Sequence, residues 1–129
     1  MTDHLEGVPY TLLYTDDVLR AAGKLERFLG FAPVDASPGF ALFMIGGGRL
    51  GLWKLEDVEP KPRARPGAAE FALSVEGGRA AVDAACTRAW DAQLTILQEP
   101  VAMDFGYTFT AALDDGNRIR VFARDGNAG

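Results

Sequence analysis

Leu113-Asp114-Asp115-Gly116-Asn117-Arg118-Ile119-Arg120-Val121-Phe122 is the second appearance of one pattern in this chain. Phe109 through Asp125 lies over Phe40 through Glu56 at a constant separation of 69 residues (40 to 109). Gly116 then meets Gly47, Arg118 meets Arg49, Ile119 meets Leu50, Val121 meets Leu52 and Phe122 meets Trp53. Both copies read as strand, tight turn, strand. An internal duplication outranks local propensity as a guide to the fold, because each half need supply only half of a core. It also pairs positions across the halves, and one such pair, Gly51 with Arg120, bears on function.

Outward from the repeat, residues 8–15 are β-prone, with aromatic and branched side chains at alternate positions. Asp16 or Asp17 then caps a helix in which Val18, Ala22, Leu25, Phe28 and Leu29 recur at helical spacing and Gly30 is the stop. Phe31 to Val34 reads as a short strand and Ser37-Pro38-Gly39 as a turn. Phe40–Ile45 and Arg49–Leu55 form a hairpin around Gly46-Gly47-Gly48. Pro60, Pro62, Pro66 and Gly67 among charges mark a proline-stiffened linker. The order then repeats: a strand over Glu70–Glu76, a helix opened by Gly77-Gly78 with Val82, Ala85, Cys86 and Ala89 on one face, and strands over Leu94–Met103, Tyr107–Leu113 and Arg118–Ala123. Each half is β-α-β-β-β. The expected class is α+β, one domain over 1–129, with module one at about 8–56, the linker at 57–68 and module two at about 69–124.

A chain of 129 residues is one domain or two small halves sharing a core, and 48% apolar with 24% charged residues is the composition of a globular protein. No apolar run is long enough to span a bilayer and no signal peptide is visible, so no membrane partner is expected. The single Cys86 has no internal partner for a disulfide and fits a reducing cytoplasm. With a net charge of −5 and no Lys/Arg run interleaved with aromatics, nucleic acid is not an expected partner. Gly46-Gly47-Gly48 is followed by a strand, so it lacks the helix N-terminus of a phosphate loop.

Two β-α-β-β-β halves, the proline linker and the Asp114-Asp115-Gly116-Asn117 turn resemble the vicinal-oxygen-chelate superfamily of glyoxalases, extradiol dioxygenases and bleomycin-resistance-like proteins. Leu29-Gly30-Phe31 after the first helix and Leu50-Gly51-Leu52-Trp53 on a strand are further landmarks, over residues 8–124. Lys24-Leu25 departs from a frequent Phe-Tyr pair, and Asp115 stands where the turn commonly has proline. The resemblance implies a curved mixed sheet with both helices on its outer face. It also implies that metal ligands, where the family has them, fall at Tyr10, Gly51, Glu70 and Arg120. Gly51 has no side chain, Arg120 is permanently cationic, a neutral Tyr is a poor ligand, and His4 precedes the first strand. The expectation is the superfamily fold with no metal and no cofactor.

Alternation along strands puts Tyr10, Leu12 and Tyr14 on one face, and likewise Gly51 with Trp53, Glu70 with Ala72 and Ser74, and Arg118 with Arg120 and Phe122. The opposite faces, such as Leu50 and Leu52 or Ile119 and Val121, are apolar and belong under the helices. The first set has the composition of a wall for a flat organic ligand with a polar edge. Trp53 reads equally as a core residue, and Gly51 as a bulge or as a thin spot that lets a ring approach the backbone. Glu70 and Arg120 read as a cross-strand ion pair, with Arg120 or Arg118 also free to receive a ligand carboxylate or phenolate.

Met103-Asp104-Phe105-Gly106-Tyr107-Thr108-Phe109, with Leu50-Gly51-Leu52-Trp53 and Ala36-Ser37-Pro38, resembles the subgroup that includes a phenazine-antibiotic resistance protein. That resemblance implies drug sequestration without turnover, a homodimer, and ring-stacking roles for Trp53, Phe105 and Tyr107. The expected ligand is a planar aromatic small molecule, held by Trp53, Tyr10, Tyr14, Glu70, Phe105, Tyr107, Arg118, Arg120 and Phe122. The competing expectation is a metal-dependent enzyme of the superfamily, a glyoxalase-type lyase or a dioxygenase.

Overall fold

Asp17 opens the first helix with an extended backbone, and its Oδ1 accepts the amide hydrogen of Arg20 at 3.2 Å. The computed structural model describes residues 5–124. Strand β1 (Tyr10–Thr15) leads into helix α1 (Val18–Leu29), which Gly30 ends in the left-handed conformation at φ 90°. Strands β2 (Asp35–Ala36), β3 (Phe40–Ile45) and β4 (Gly48–Lys54) follow, and then a single 3-10 turn at Leu55–Asp57. After the linker come β5 (Glu70–Ser74), α2 (Gly78–Asp91), β6 (Thr95–Met103), β7 (Gly106–Ala112) and β8 (Arg118–Ala123).

Each half makes a four-stranded mixed sheet, in the orders β1-β4-β3-β2 and β5-β8-β7-β6. β1 runs parallel to β4 and β5 parallel to β8, while the other pairings are antiparallel. The duplication extends to single backbone bonds: Arg49 N–H donates to Pro9 O at 3.0 Å, and Arg118 N–H to Ala69 O at 3.0 Å. The halves differ in one place. β2 has 2 residues where β6 has 9, with register shifts on either side of Gln98. The added length precedes β7, which explains why the sequence repeat is clear only from Phe40 and Phe109 onward.

The helix-facing alternation is as the sequence predicts. Leu13, Leu50, Leu52 and Phe43 from one sheet, Phe109, Ile119 and Val121 from the other, and Val18, Leu25, Phe28, Val82 and Ala89 from the helices form one buried cluster. The helices meet across it. Arg88 Nε donates to Phe28 O at 2.7 Å, and Lys24 Nζ to Gln93 O at 3.2 Å. No helix among the described residues is long and apolar enough to cross a membrane.

Several boundaries differ from the sequence reading. The short strand is Asp35–Ala36 rather than Phe31–Val34, because Pro33 has no N–H to give a ladder. β5 stops at Ser74 and β6 begins at Thr95, with Leu94 buried beneath the helices. β7 starts at Gly106, whose φ of 145° and approach to Ala123 O, 2.2 Å from where a Cβ would stand, leave room for no other residue.

The Asp114–Asn117 turn of module two grips module one. Asn117 is 2% exposed; its Nδ2 donates to Tyr14 O at 2.8 Å and its Oδ1 accepts from Gly67 N–H at 3.1 Å. Asp115 Oδ2 accepts from the Thr15 hydroxyl and from Asp16 N–H at 3.2 Å. Asp114 pairs with Arg20, and with Lys24 at 2.6 Å, on α1. The aspartate standing where the family turn commonly has proline is therefore an anchor between modules. Asn117→Ala should lower stability by about 1–2 kcal/mol in urea unfolding, since it removes the partners of two partly buried backbone groups. A loss below about 0.5 kcal/mol would show that the modules do not depend on this anchor.

Candidate ligand-binding wall

Module one contributes apolar surface. The register sets Gly51 between Leu12 and Leu42, and Trp53 between Tyr14 and Phe40. The Tyr14 and Trp53 rings meet edge to face, with centroids 6.3 Å apart and planes at 74°. Trp53 and Tyr14 are half-buried, whereas Tyr10 is 56% exposed and Leu12 40%. Trp53 is thus a wall residue and not core. Gly51 is not an open slot for a ligand ring: a Cβ there would lie 2.8 Å from both Leu12 Cδ2 and Phe40 Cζ, so the chain's own side chains fill the space. Arg49 shares the Gly51 face beside Tyr10 and Met44 and was not singled out by the sequence reading.

Module two contributes a polar lock. Arg120 donates from Nε to Glu70 Oε1 at 2.9 Å and from Nη2 to Glu70 Oε2 at 3.3 Å. Its Nη1 donates to Gln98 Oε1 at 3.2 Å and to Thr108 Oγ1 at 3.3 Å. Four hydrogen bonds therefore engage a group with five donors. The Thr110 hydroxyl donates to Gln98 Oε1 at 3.2 Å, and the Thr108 hydroxyl to Val121 O at 2.9 Å. Arg118 Nη1 approaches Glu70 Oε2 at 3.8 Å but stays half exposed. Phe105 meets Phe122 edge to face at 5.6 Å, and the Arg120 guanidinium lies 5.9 Å from the Phe105 centroid.

Gln98, Thr108 and Thr110 are the residues that sequence reasoning missed. Two threonines alternating with Phe109 and Ala111 were a legible sign of a polar face on β7. Gln98 carried no such sign, because register shifts interrupt β6 around it.

Tyr107 is a correction. It shares its face with Phe109, packs against the core, and donates its hydroxyl to Asp83 Oδ1 on α2 at 2.9 Å under the Arg79 guanidinium, 4.7 Å from the ring centroid. The bond to Asp83 pushes the Tyr107 phenol above its ordinary pKa. Phe105 and Tyr107 part company because strand parity begins at Gly106: Thr108, not Tyr107, faces Phe122 and the wall. The other expected residues fall into two groups, Tyr10, Tyr14 and Trp53 on module one and Glu70, Phe105, Arg118, Arg120 and Phe122 on module two. Leu12 and Tyr14 of β1 line one groove with Ala69, the residue immediately before β5.

The four positions at which the family resemblance puts metal ligands do not fit a metal. Their one carboxylate, Glu70, is held by the cation of another, Arg120. No group of three or more His, Cys, Asp and Glu side chains suited to a metal occurs among the described residues. The hydrogen bonds from Arg120 hold Glu70 below the usual carboxylate range against the opposing effect of burial, with the charges of Arg120 and Arg118 adding to the drop. A carboxylate so stabilised is a weak proton acceptor near neutral pH. The arrangement can stack rings and fix a polar edge; it offers no poised acid–base pair.

The family model described as Glyoxalase/Bleomycin resistance protein/Dioxygenase superfamily matches residues 7–127. Among solved structures, a protein of Agrobacterium tumefaciens determined by solution NMR is 40% identical, with a TM-score of 0.80 over 98% of this chain and 100% of its own. A glyoxalase-related enzyme from Fulvimarina pelagi is 24% identical, with a TM-score of 0.80 over 93% of this chain and 89% of its own. A glyoxalase/bleomycin resistance protein/dioxygenase from Nocardioides is 19% identical, with a TM-score of 0.77 over 99% and 89%. The last two show likeness of fold alone. No curated protein matches the sequence.

Glu70 and Asp114 both lie below their ordinary values of 4.5 and 3.8, Asp114 through hydrogen bonds from Lys24 and then Arg20. Their ionised forms favour the folded state, so this stabilisation is present above the unfolded carboxylate range and is lost as pH falls through the folded values. Melting temperature should therefore hold above about pH 5 and fall below about pH 4. Glu70→Gln should cost about 1–2 kcal/mol at neutral pH, by leaving Arg120 without its counterion, and should flatten the acid limb. An unchanged acid limb in that variant would show that the pair does not act this way.

Proposed function

The chain belongs to the glyoxalase/bleomycin resistance protein/dioxygenase superfamily, and from that premise we propose that it binds and sequesters a planar aromatic small molecule, an antibiotic of the phenazine type, without turning it over. The observation that carries this reading is the Arg120–Glu70 lock at the positions where the resemblance would put metal ligands, together with the half-buried Tyr14–Trp53 ring pair on module one. Sequestration needs no nucleophile, acid or base. It needs apolar area, ring edges and a fixed dipole, and Tyr14, Trp53, Phe105 and Phe122 supply the rings while the partly exposed Gln98 amide, held by Thr110 and Arg120, supplies the dipole. A small molecule held this way is removed from its target in proportion to the protein present, which is sufficient for resistance.

The reading includes a homodimer. Tyr10, Leu12 and Met44 remain exposed on one face of module one, where the chain's own elements do not cover them. A second copy laid across that face would close the wall around a ligand and shield these side chains.

A thermal-shift screen of planar aromatic antibiotics beside a panel of divalent metals tests the proposal. A ligand at a hundredfold its Kd adds about 2.7 kcal/mol of stability. The expected outcome is a rise in melting temperature with a ring compound; a rise with metals alone would return the chain to the metal-dependent enzymes of its superfamily. Trp53→Ala should then weaken binding about tenfold or more by calorimetric titration, as expected for the loss of a stacked ring and its buried area. Unchanged affinity would remove Trp53 from the site.

A further inference from the structure

We propose that Arg65, on the linker between the modules, is the cation that recognises an acidic group on the ligand, so that the site prefers aromatic carboxylates to neutral rings of the same size. The inference rests on the ring-binding reading above and specifies its substrate class.

On the wall itself, Arg49 donates from Nη1 to Gly48 O at 3.2 Å beside Tyr10 and is the alternative cation, while those of module two are engaged. Arg120 is tied to Glu70, Gln98 and Thr108, and Arg118 leans on the same carboxylate. The linker differs. Lys61-Pro62-Arg63-Ala64-Arg65-Pro66 carries three cations and no carboxylate within a chain of net charge −5. Neither Arg63 nor Arg65 makes an ion pair or hydrogen bond among the described residues, and both are exposed.

Arg65 also stands at a junction. With Pro62, Pro66 and Ala69 it lines an apolar groove of about 280 Å³ against Leu12 and Tyr14, the ring-bearing face of β1. With Lys61 and Arg63 it lines a second groove of about 530 Å³. Pro62, Ala64 and Arg65 are common to both, so the linker forms the ridge between an apolar space and a cationic one. A flat ring against Tyr14 and Leu12 would present a carboxylate on its rim to this ridge, and a guanidinium matches a carboxylate with two parallel donors.

The ridge is held rather than loose. Val58 is 1% exposed at one end, and Gly67 N–H is fixed by Asn117 Oδ1 at the other. Pro62 and Pro66 restrict the backbone between them, so less freedom is lost when an anion is engaged. The acidic neighbours are already partnered or outnumbered. Glu56 pairs with Lys54 at 3.5 Å, Glu70 beside Ala69 is held by Arg120, and Asp16 faces the three linker cations across the larger groove.

The test titrates phenazine-1-carboxylate and phenazine-1-carboxamide into the full chain and into Arg65→Gln and Arg49→Gln by calorimetry, at low and high salt. The expected result is a preference for the carboxylate of about fivefold, the upper end for an exposed ion pair, weakened by salt and lost in Arg65→Gln with carboxamide affinity unchanged. Equal affinity of the full chain for both compounds, or a preference that survives Arg65→Gln and disappears in Arg49→Gln, would overturn the role of Arg65 and leave ring binding intact. Failure of either compound to bind would overturn the ring-binding reading and this inference with it.

Discussion

Asn117 is the constraint on which the rest of the structure hangs. Its amide reaches from the last hairpin of module two to the backbone of β1 in module one and to the linker, satisfying a partly buried carbonyl and N–H. Gly116 at φ 90° and Gly67 at φ 115° let the turn and the linker touch backbone to backbone, with the Gly67 Cα only 3.4 Å from where a Cβ on Gly116 would stand. Asp114 and Asp115 extend the grip to α1 and to the end of β1. The corresponding turn in module one is Ile45-Gly46-Gly47-Gly48, which has no polar side chains and holds nothing. The duplicated halves thus differ where one of them must fasten to the other.

That fastening ties β1, and the linker that leads into β5, to the last turn of module two. The two halves of the wall differ in chemistry. Module one exposes rings and aliphatic side chains over a backbone that Leu12 and Phe40 cover. Module two turns inward a hydrogen-bonded set in which Arg120 joins β5, β6, β7 and β8 through Glu70, Gln98 and Thr108. A partly buried guanidinium is costly unless its donors are met, and here four bonds engage them. The same lock occupies the only carboxylate among the family's ligand-bearing positions, so structural order and metal chemistry compete for Glu70.

Cys86 and Tyr107 illustrate how much of the polar inventory belongs to the outer layer. Burial, with Glu99 and Asp83 nearby, pushes the Cys86 thiol up, so it is a poor nucleophile at neutral pH. Tyr107 fixes α2 to its sheet through Asp83 and takes no part in the wall. Removing both from the chemistry leaves rings, the Gln98 amide, and cations on the linker that borders Tyr14.

Periodicity made the architecture legible. The alternation of Leu50 and Leu52 against Gly51 and Trp53, of Ile119 and Val121 against Arg118 and Arg120, and the stop at Gly30 are local patterns with local causes, and both sheets and helices followed from them. The ion pair between Glu70 and Arg120 was also readable, because parallel pairing of first and last strands puts their outward faces together. The face that Tyr107 takes follows from the same alternation, in which Thr108 and Thr110 share one side of β7 and Tyr107, Phe109 and Ala111 the other, whereas its bond to Asp83 on α2 was decided by the tertiary structure. That structure alone also brought Gln98 to Arg120, across an irregular β6, and turned Asp114, Asp115 and Asn117 onto residues a hundred positions away or nearly so. A strand's alternation is fixed by its own backbone geometry, whereas a hydrogen bond between distant residues exists only after the shared core has placed both strands.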